Sequence, residues 1–152
     1  MSARQIYWDS DPFLGWLQEE VEKVELCRST IKQAEEGNVL LVTSALTIAE
    51  VLYQKRKEVI PAEKKDKVIA LFQNEFIAVR NVTRAIAEAA RDLVWSNGIA
   101  PKDAIHVATA VSLKIPFLET FDGDLIAQSG KVGNPPLIIR KPLELDQKDL
   151  GF

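Results

Sequence analysis

The sequence predicts an α/β domain with a mainly parallel sheet of about four or five strands, and two observations carry that expectation. Short segments rich in aromatic, aliphatic and β-branched residues alternate with longer stretches of helical periodicity along the chain, as strand–crossover–strand units require. One of the short segments, Val39-Leu40-Leu41-Val42, is apolar at every position, which is how a strand reads when both faces of its sheet are covered. The 152 residues suit one unit. The expected domain therefore spans 1–152, with its core at about 5–140 and a polar tail over 141–152.

Each element has its own signal. Gln5 to Trp8 carries β-preferring Ile6, Tyr7 and Trp8 and stops at Asp9-Ser10-Asp11-Pro12, a strand ending in a turn. From Phe13 to about Glu36 the pattern is helical, with Val21, Val24, Leu26 and Ile31 among charges, and Gly37-Asn38 closes it. After the apolar strand, Ser44 is a candidate N-cap for a helix with the stripe Ala45, Ile48, Ala49, Leu52. A further helix is expected after Pro61 through Val68, Ile69 and Phe72, then a strand at Phe76 to Val79. Thr83 caps a helix running through Ile86, Ala90, Leu93 and Val94 to the stop signal Asn97-Gly98. Pro101 suits the first turn of the next helix, whose apolar face is Ala104, Val107, Ala108 and Val111. A strand from Pro116 to Leu118, a short helix around Leu125-Ile126 and a last strand at Leu137 to Ile139 complete the order.

Composition narrows the function. No apolar run approaches the ~20 residues of a membrane helix, and the first eight residues lack the charged and apolar parts of a leader. Cys27 is the only cysteine, so an internal disulfide and a thiolate zinc cluster are both excluded, and a reducing, cytoplasmic setting is expected. A net charge of −3 argues against a protein that lives by phosphate contacts alone. It argues less against a nuclease, because carboxylates that hold a divalent cation count as negative only without it. Local basic clusters at 55–57, at Lys64-Lys65-Asp66-Lys67 and at Arg140-Lys141 read most simply as solvated surface.

The acids fall in a suggestive order. In open parallel sheets, ligands sit at the carboxyl ends of the strands. Asp9 ends the first expected strand, Asp122 lies just past the fourth, and Asp103 occupies the opening turn of a helix. Glu50 sits within an apolar helix, where a carboxylate is costly unless a cation or donors meet it. Singly, each has a plain alternative: Asp9 and Asp122 as turn or capping residues, Asp103 as a helix-dipole partner, Glu50 reaching solvent or Lys55. Together at one sheet edge they would repel, and Mg²⁺, which takes hard oxygen ligands, would offset the repulsion.

These segments resemble the PIN domains, in particular the small VapC-like toxins of bacterial toxin–antitoxin pairs, from Ile6 to about Ile139. Four motifs carry the resemblance: Ile6-Tyr7-Trp8-Asp9-Ser10, the stretch Thr43 to Leu52 around Glu50, Lys102-Asp103-Ala104-Ile105-His106 with the Ala-rich helix behind it, and Phe117-Leu118-Glu119-Thr120-Phe121-Asp122. Asp11, Phe121 and Leu125 depart from the usual residues at their places, which bears on how RNA approaches. The resemblance implies a three-layer α/β/α domain that hydrolyses RNA phosphodiester bonds with Mg²⁺ or Mn²⁺, leaving a 5′-phosphate and a 3′-hydroxyl. Asp9 and Asp103 would be the principal metal ligands, Asp122 would complete the site, and Glu50 would position the water or a second ion. Ser10 and Thr120 would orient carboxylates or phosphate, with Asp124, Asp11 and Glu119 as reserve acids. An antitoxin partner and a homodimer are implied by the toxin relatives only.

His106 is the only histidine, so Ser-His-Asp chemistry and a two-histidine metal site have no support. It lies one turn along from Asp103, and a helix-packing or surface role is the expected one. Trp8, Trp16 and Trp95 have the chemistry to stack on bases but read as core or interface residues, and Cys27 as a buried apolar one. Two other readings remain: a haloacid dehalogenase-type phosphohydrolase, with Asp9 as nucleophile and Asp11 as general acid/base, and a non-catalytic PIN-like module that binds RNA or protein.

Overall fold

The computed structural model describes residues 3–51 and 62–143. Five strands, β1 (Arg4–Trp8), β2 (Val39–Ser44), β3 (Ile77–Arg80), β4 (Phe117–Glu119) and β5 (Ile138–Arg140), form one sheet in the order β3-β2-β1-β4-β5. Every neighbouring pair is parallel. The helices among the described residues are α1 (Ser10–Leu17), α2 (Val24–Glu35), α3 (Ala45–Glu50), α4 (Lys65–Leu71), α5 (Arg84–Asn97), α6 (Pro101–Ser112) and α7 (Gly123–Ile126). No described helix is long and apolar enough to cross a membrane.

Two cores lie on the two faces of the sheet, because strand residues alternate between faces. Ile77, Leu41 and Ile6 share a row across the sheet and pack with Phe13, Cys27, Ile31 and Leu71 beneath α1, α2 and α4. The adjacent row, Val42, Tyr7, Leu118 and Ile139, faces Ala104, Val107 and Ala108 of α6 and Leu125 of α7. Three layers result, as expected. Phe13 anchors the first core edge-on between Trp8 and Phe72, with ring centroids 5.0 and 5.3 Å away. Fully burying such a side chain contributes roughly 1.5–3 kcal/mol.

The expected helix over Phe13 to Glu36 is instead two helices. Asp9 caps α1 by accepting the Asp11 amide at 3.1 Å, so helix begins where the sequence suggests a turn, and Pro12 is tolerated because its missing N–H falls in the first turn. The chain then turns through Glu19, at φ 49°, and Val21 is 89% exposed instead of joining the apolar face. The stripe expected on the helix after Ser44 is corrected as well. In this six-residue helix Thr47 is buried while Ile48 and Ala49 are exposed, since the Thr47 hydroxyl pairs with Thr43 at 2.7 Å and fixes that side inward. Leu52, Lys55 to Lys57 and Pro61, together with the tail beyond Leu143, lie outside the described residues. The remaining caps fall where the sequence places them: Ser44, Thr83 and the left-handed Gly98 at φ 66°.

Candidate active site at the carboxyl edge of the sheet

Chain direction splits at β1: the path steps outward through β2 and β3, then returns to β4 and β5 on the other side. The crevice between the carboxyl ends of β1 and β4 is thus the topological switch point, where open α/β sheets bind ligands. Asp9 stands on one side, following Trp8, and Thr120 and Asp122 stand on the other, following Glu119. Asp103 comes in from the first turn of α6, and Glu50 from the end of α3.

The carboxylates feel one another. Asp9 is buried, and its carboxyl is pushed well above the usual range, first by burial and then by the charge of Asp11, with Asp103 adding. The Thr120 hydroxyl and the Asp11 amide pull the other way. Asp11 is raised too, by burial above all; Lys23 and Thr120 oppose this, while Asp122 and Glu50 push further. Asp103 is pushed up to about 6, by burial first and then by Asp122, Asp11 and Glu50, with His106 acting against them. Burial and like charge both disfavour the ionised form, so five acids from separate parts of the sequence share one electrostatic environment. Among the described residues no three His, Cys, Asp or Glu side chains close into a ready-made metal cage. The arrangement gathers hard oxygen donors at one sheet edge, the donor type that suits Mg²⁺ or Mn²⁺ ions retaining several waters.

Hydroxyls and amides orient these groups. Thr120 is fully buried, donates to Asp11 Oδ2 at 3.3 Å and accepts the Asp122 amide at 3.2 Å. Asp122 caps α7 by accepting the Asp124 amide at 2.9 Å. Its other neighbours define a cleft of ≈ 360 Å³ between Asp103, Asp122 and Asp124 and the turn at Ile99-Ala100. Ser10 is half-buried at the start of α1, beside Asp9. A larger groove, ≈ 820 Å³, runs between α1, α2 and α4 and is lined by none of the five acids.

The reserve acids separate cleanly. Asp11 joins the group, whereas Asp124 is exposed at its rim. Glu119 belongs elsewhere: it shares a row with Trp8 and Arg140, fully buried, and accepts from Trp8 Nε1 at 2.8 Å and Arg140 Nε at 3.2 Å. That row points to the face opposite Tyr7. His106 takes the packing half of the expected role, 1% exposed, and adds hydrogen bonds at both ring nitrogens, with Tyr7 Oη 2.7 Å from Nδ1 and Glu50 Oε1 2.6 Å from Nε2. The signal for it was the Asp103–His106 spacing of three, which puts both on one helix face. Trp8 is core and Trp95 is 84% exposed on α5; Cys27 is free and buried.

Fold and site together define a parallel α/β domain with an acidic switch-point crevice. The chain belongs to the PIN-domain family, whose family model matches residues 6–131. Among solved structures it is similar to the Mycobacterium tuberculosis toxin VapC20, described as cleaving the sarcin-ricin loop, with TM-score 0.65 and 17% identity over 80% of this chain and 93% of that one. It is similar also to a chain of a toxin-antitoxin complex from Klebsiella pneumoniae, with TM-score 0.63 and 18% identity over 92% of this chain and 99% of that one. No curated protein sequence matches. Family membership displaces the haloacid dehalogenase reading, which left Glu50 and Asp103 without a part.

Proposed function

We propose that the protein is a Mg²⁺- or Mn²⁺-dependent endoribonuclease, the toxin of a toxin–antitoxin pair. One observation carries the reading: Asp9, Asp11 and Asp103 meet at one sheet edge and are all held above the ordinary carboxylate range, by burial first and then by neighbouring carboxylates. A fold gains nothing structurally from such a concentration of negative charge, whereas a divalent cation converts it into binding energy. A bound ion supplies charge stabilisation at the phosphate and makes water more acidic.

The side chains divide the work. Asp9 and Asp103 would be the principal ligands, Asp122 would complete the set from the β4 side, and Glu50 would position the water or a second ion. Thr120 holds the carboxylates in place across the crevice. The substrate is RNA, cut to leave a 5′-phosphate and a 3′-hydroxyl, and the similarity to a toxin and to a toxin–antitoxin complex supports a neutralising protein partner. A homodimer of one unit over 1–152 belongs to the same reading.

Cleavage of single-stranded RNA with Mg²⁺ or Mn²⁺, with EDTA, and by the Asp9→Ala and Asp103→Ala proteins tests it. Activity that survives EDTA, or that both variants retain in full, refutes the proposal.

A further inference from the structure

We propose that Tyr7 and His106 are positioning residues that fix the Glu50 carboxylate in the crevice, an inference that rests on the nuclease reading above. The three side chains come from β1, α6 and α3, separated by 99 and 56 residues in sequence, yet form one continuous hydrogen-bonded chain. Tyr7 is fully buried, His106 1% exposed, and the Glu50 side chain 17% exposed. Water is therefore kept from the first two links, and only the last opens toward the crevice.

The direction of the chain follows from the chemistry of its ends. The Tyr7 hydroxyl carries its proton at ordinary pH, so it can donate to a ring nitrogen that presents a lone pair. Tyr7 O–H donates to Nδ1, which leaves the imidazole proton on Nε2, where it donates to Glu50 Oε1 at 2.6 Å. A carboxylate only accepts, so this is the one neutral tautomer that satisfies both partners.

Packing alone does not call for this arrangement. Phe at 7 and Leu at 106 would fill the same space without any buried polar atoms to satisfy. The Tyr7 and His106 rings already meet edge-on, with centroids 5.7 Å apart, so the polar atoms add orientation, not volume. What they orient is a three-torsion side chain at the last residue of a six-residue helix. Holding one Glu50 oxygen restricts the remaining torsions of the side chain, and preorganisation of that kind appears in kcat and not in KM.

Two measurements decide it. His106 is the only histidine, so ¹⁵N imidazole spectra of the EDTA-treated protein at mildly alkaline pH give one unambiguous tautomer. The expected result is Nε2–H, shifting toward a mixture in Tyr7→Phe; an Nδ1–H ring overturns the inference whatever the activity. In RNA cleavage, His106→Leu and Tyr7→Phe, each checked for native unfolding behaviour, should lose about 10- to 100-fold in kcat with KM little changed. His106→Gln, which keeps a donor near Nε2, should recover most of the loss. If Asp103→Asn is inactive while folded His106→Leu and Tyr7→Phe keep full kcat, the positioning role is wrong and the nuclease reading stands. Wild-type protein with the Nε2–H ring that never cleaves RNA refutes the nuclease reading, and the positioning role falls with it.

Discussion

Replacing Asp103 by Asn should make the metal-free protein more stable at alkaline pH while abolishing cleavage. In the unfolded chain this carboxyl titrates near 3.9; in the fold it is pushed up to about 6. Between those values the native state binds more protons than the unfolded state, so stability falls as pH rises through the window, and the whole penalty stands above it. Two pH units correspond to ~3 kcal/mol. Asp103 is only half-buried, so solvent screening reduces this to roughly 1–2 kcal/mol. The negative charge also lies in the first turn of α6, where losing it costs about 0.5 kcal/mol. The net gain for Asp103→Asn is then about 1 kcal/mol, or a rise of about 3 °C in Tm for a chain of this size. Thermal unfolding in EDTA at about pH 8 and about pH 4 should show the variant ahead at the first and level at the second. Added Mg²⁺ should raise the Tm of the wild type and leave that of the variant nearly unchanged. A variant less stable than wild type at alkaline pH, or a difference independent of pH, would refute the account of mutual repulsion.

Four further outcomes follow from the local structure. Phe13→Ala removes the ring that meets both Trp8 and Phe72 and should cost about 3–5 kcal/mol in urea unfolding. Arg140→Met takes the guanidinium from the fully buried Glu119 and leaves that carboxylate to the Trp8 indole; the expected loss is about 2–4 kcal/mol, smaller for Arg140→Lys, and a stable Arg140→Met protein would contradict it. Gly98→Ala, at a left-handed cap with open space around its would-be Cβ, should cost about 1 kcal/mol. Gly133→Ala should cost more by the same assay, because its φ is +92° and a Cβ there meets the Pro135 carbonyl at 3.2 Å and Val111 at 3.3 Å.

Most of the scaffold was legible because it is local. The apolar run at Val39 to Val42, the Thr83 cap and the Asn97-Gly98 stop are short-range signals, and the structure honours them. Asp9, Glu50, Asp103 and Asp122 were legible as candidates because each follows a strand or opens or closes a helix near the same edge. What the sequence could not supply was side-chain direction across elements. Glu119 and Asp11 are both acids near the crevice, yet the register that pairs Glu119 with Trp8 sends one to the opposite face while Thr120 draws the other in. The break between α1 and α2 was hidden because Val21 and Val24 continue a helical spacing that Glu19 interrupts by a single left-handed residue. In the sequence His106 stands out by its rarity and by lying one turn from Asp103, whereas its partners lie on two other elements and meet it only when the sheet is assembled.

The placement of β1 at the centre of the sheet has one last implication. Its neighbours β2 and β4 carry or precede the groups that meet Asp9, while β3 and β5 form the margins. The margin strand β5 still supports the crevice, since the Arg140 carbonyl accepts the Thr120 amide at 3.0 Å, but a shift of one residue in β1 would disturb it most directly. Such a slip would exchange Tyr7 and Trp8 between faces and, in a single step, take apart both the hydrophobic anchor and the acidic crevice.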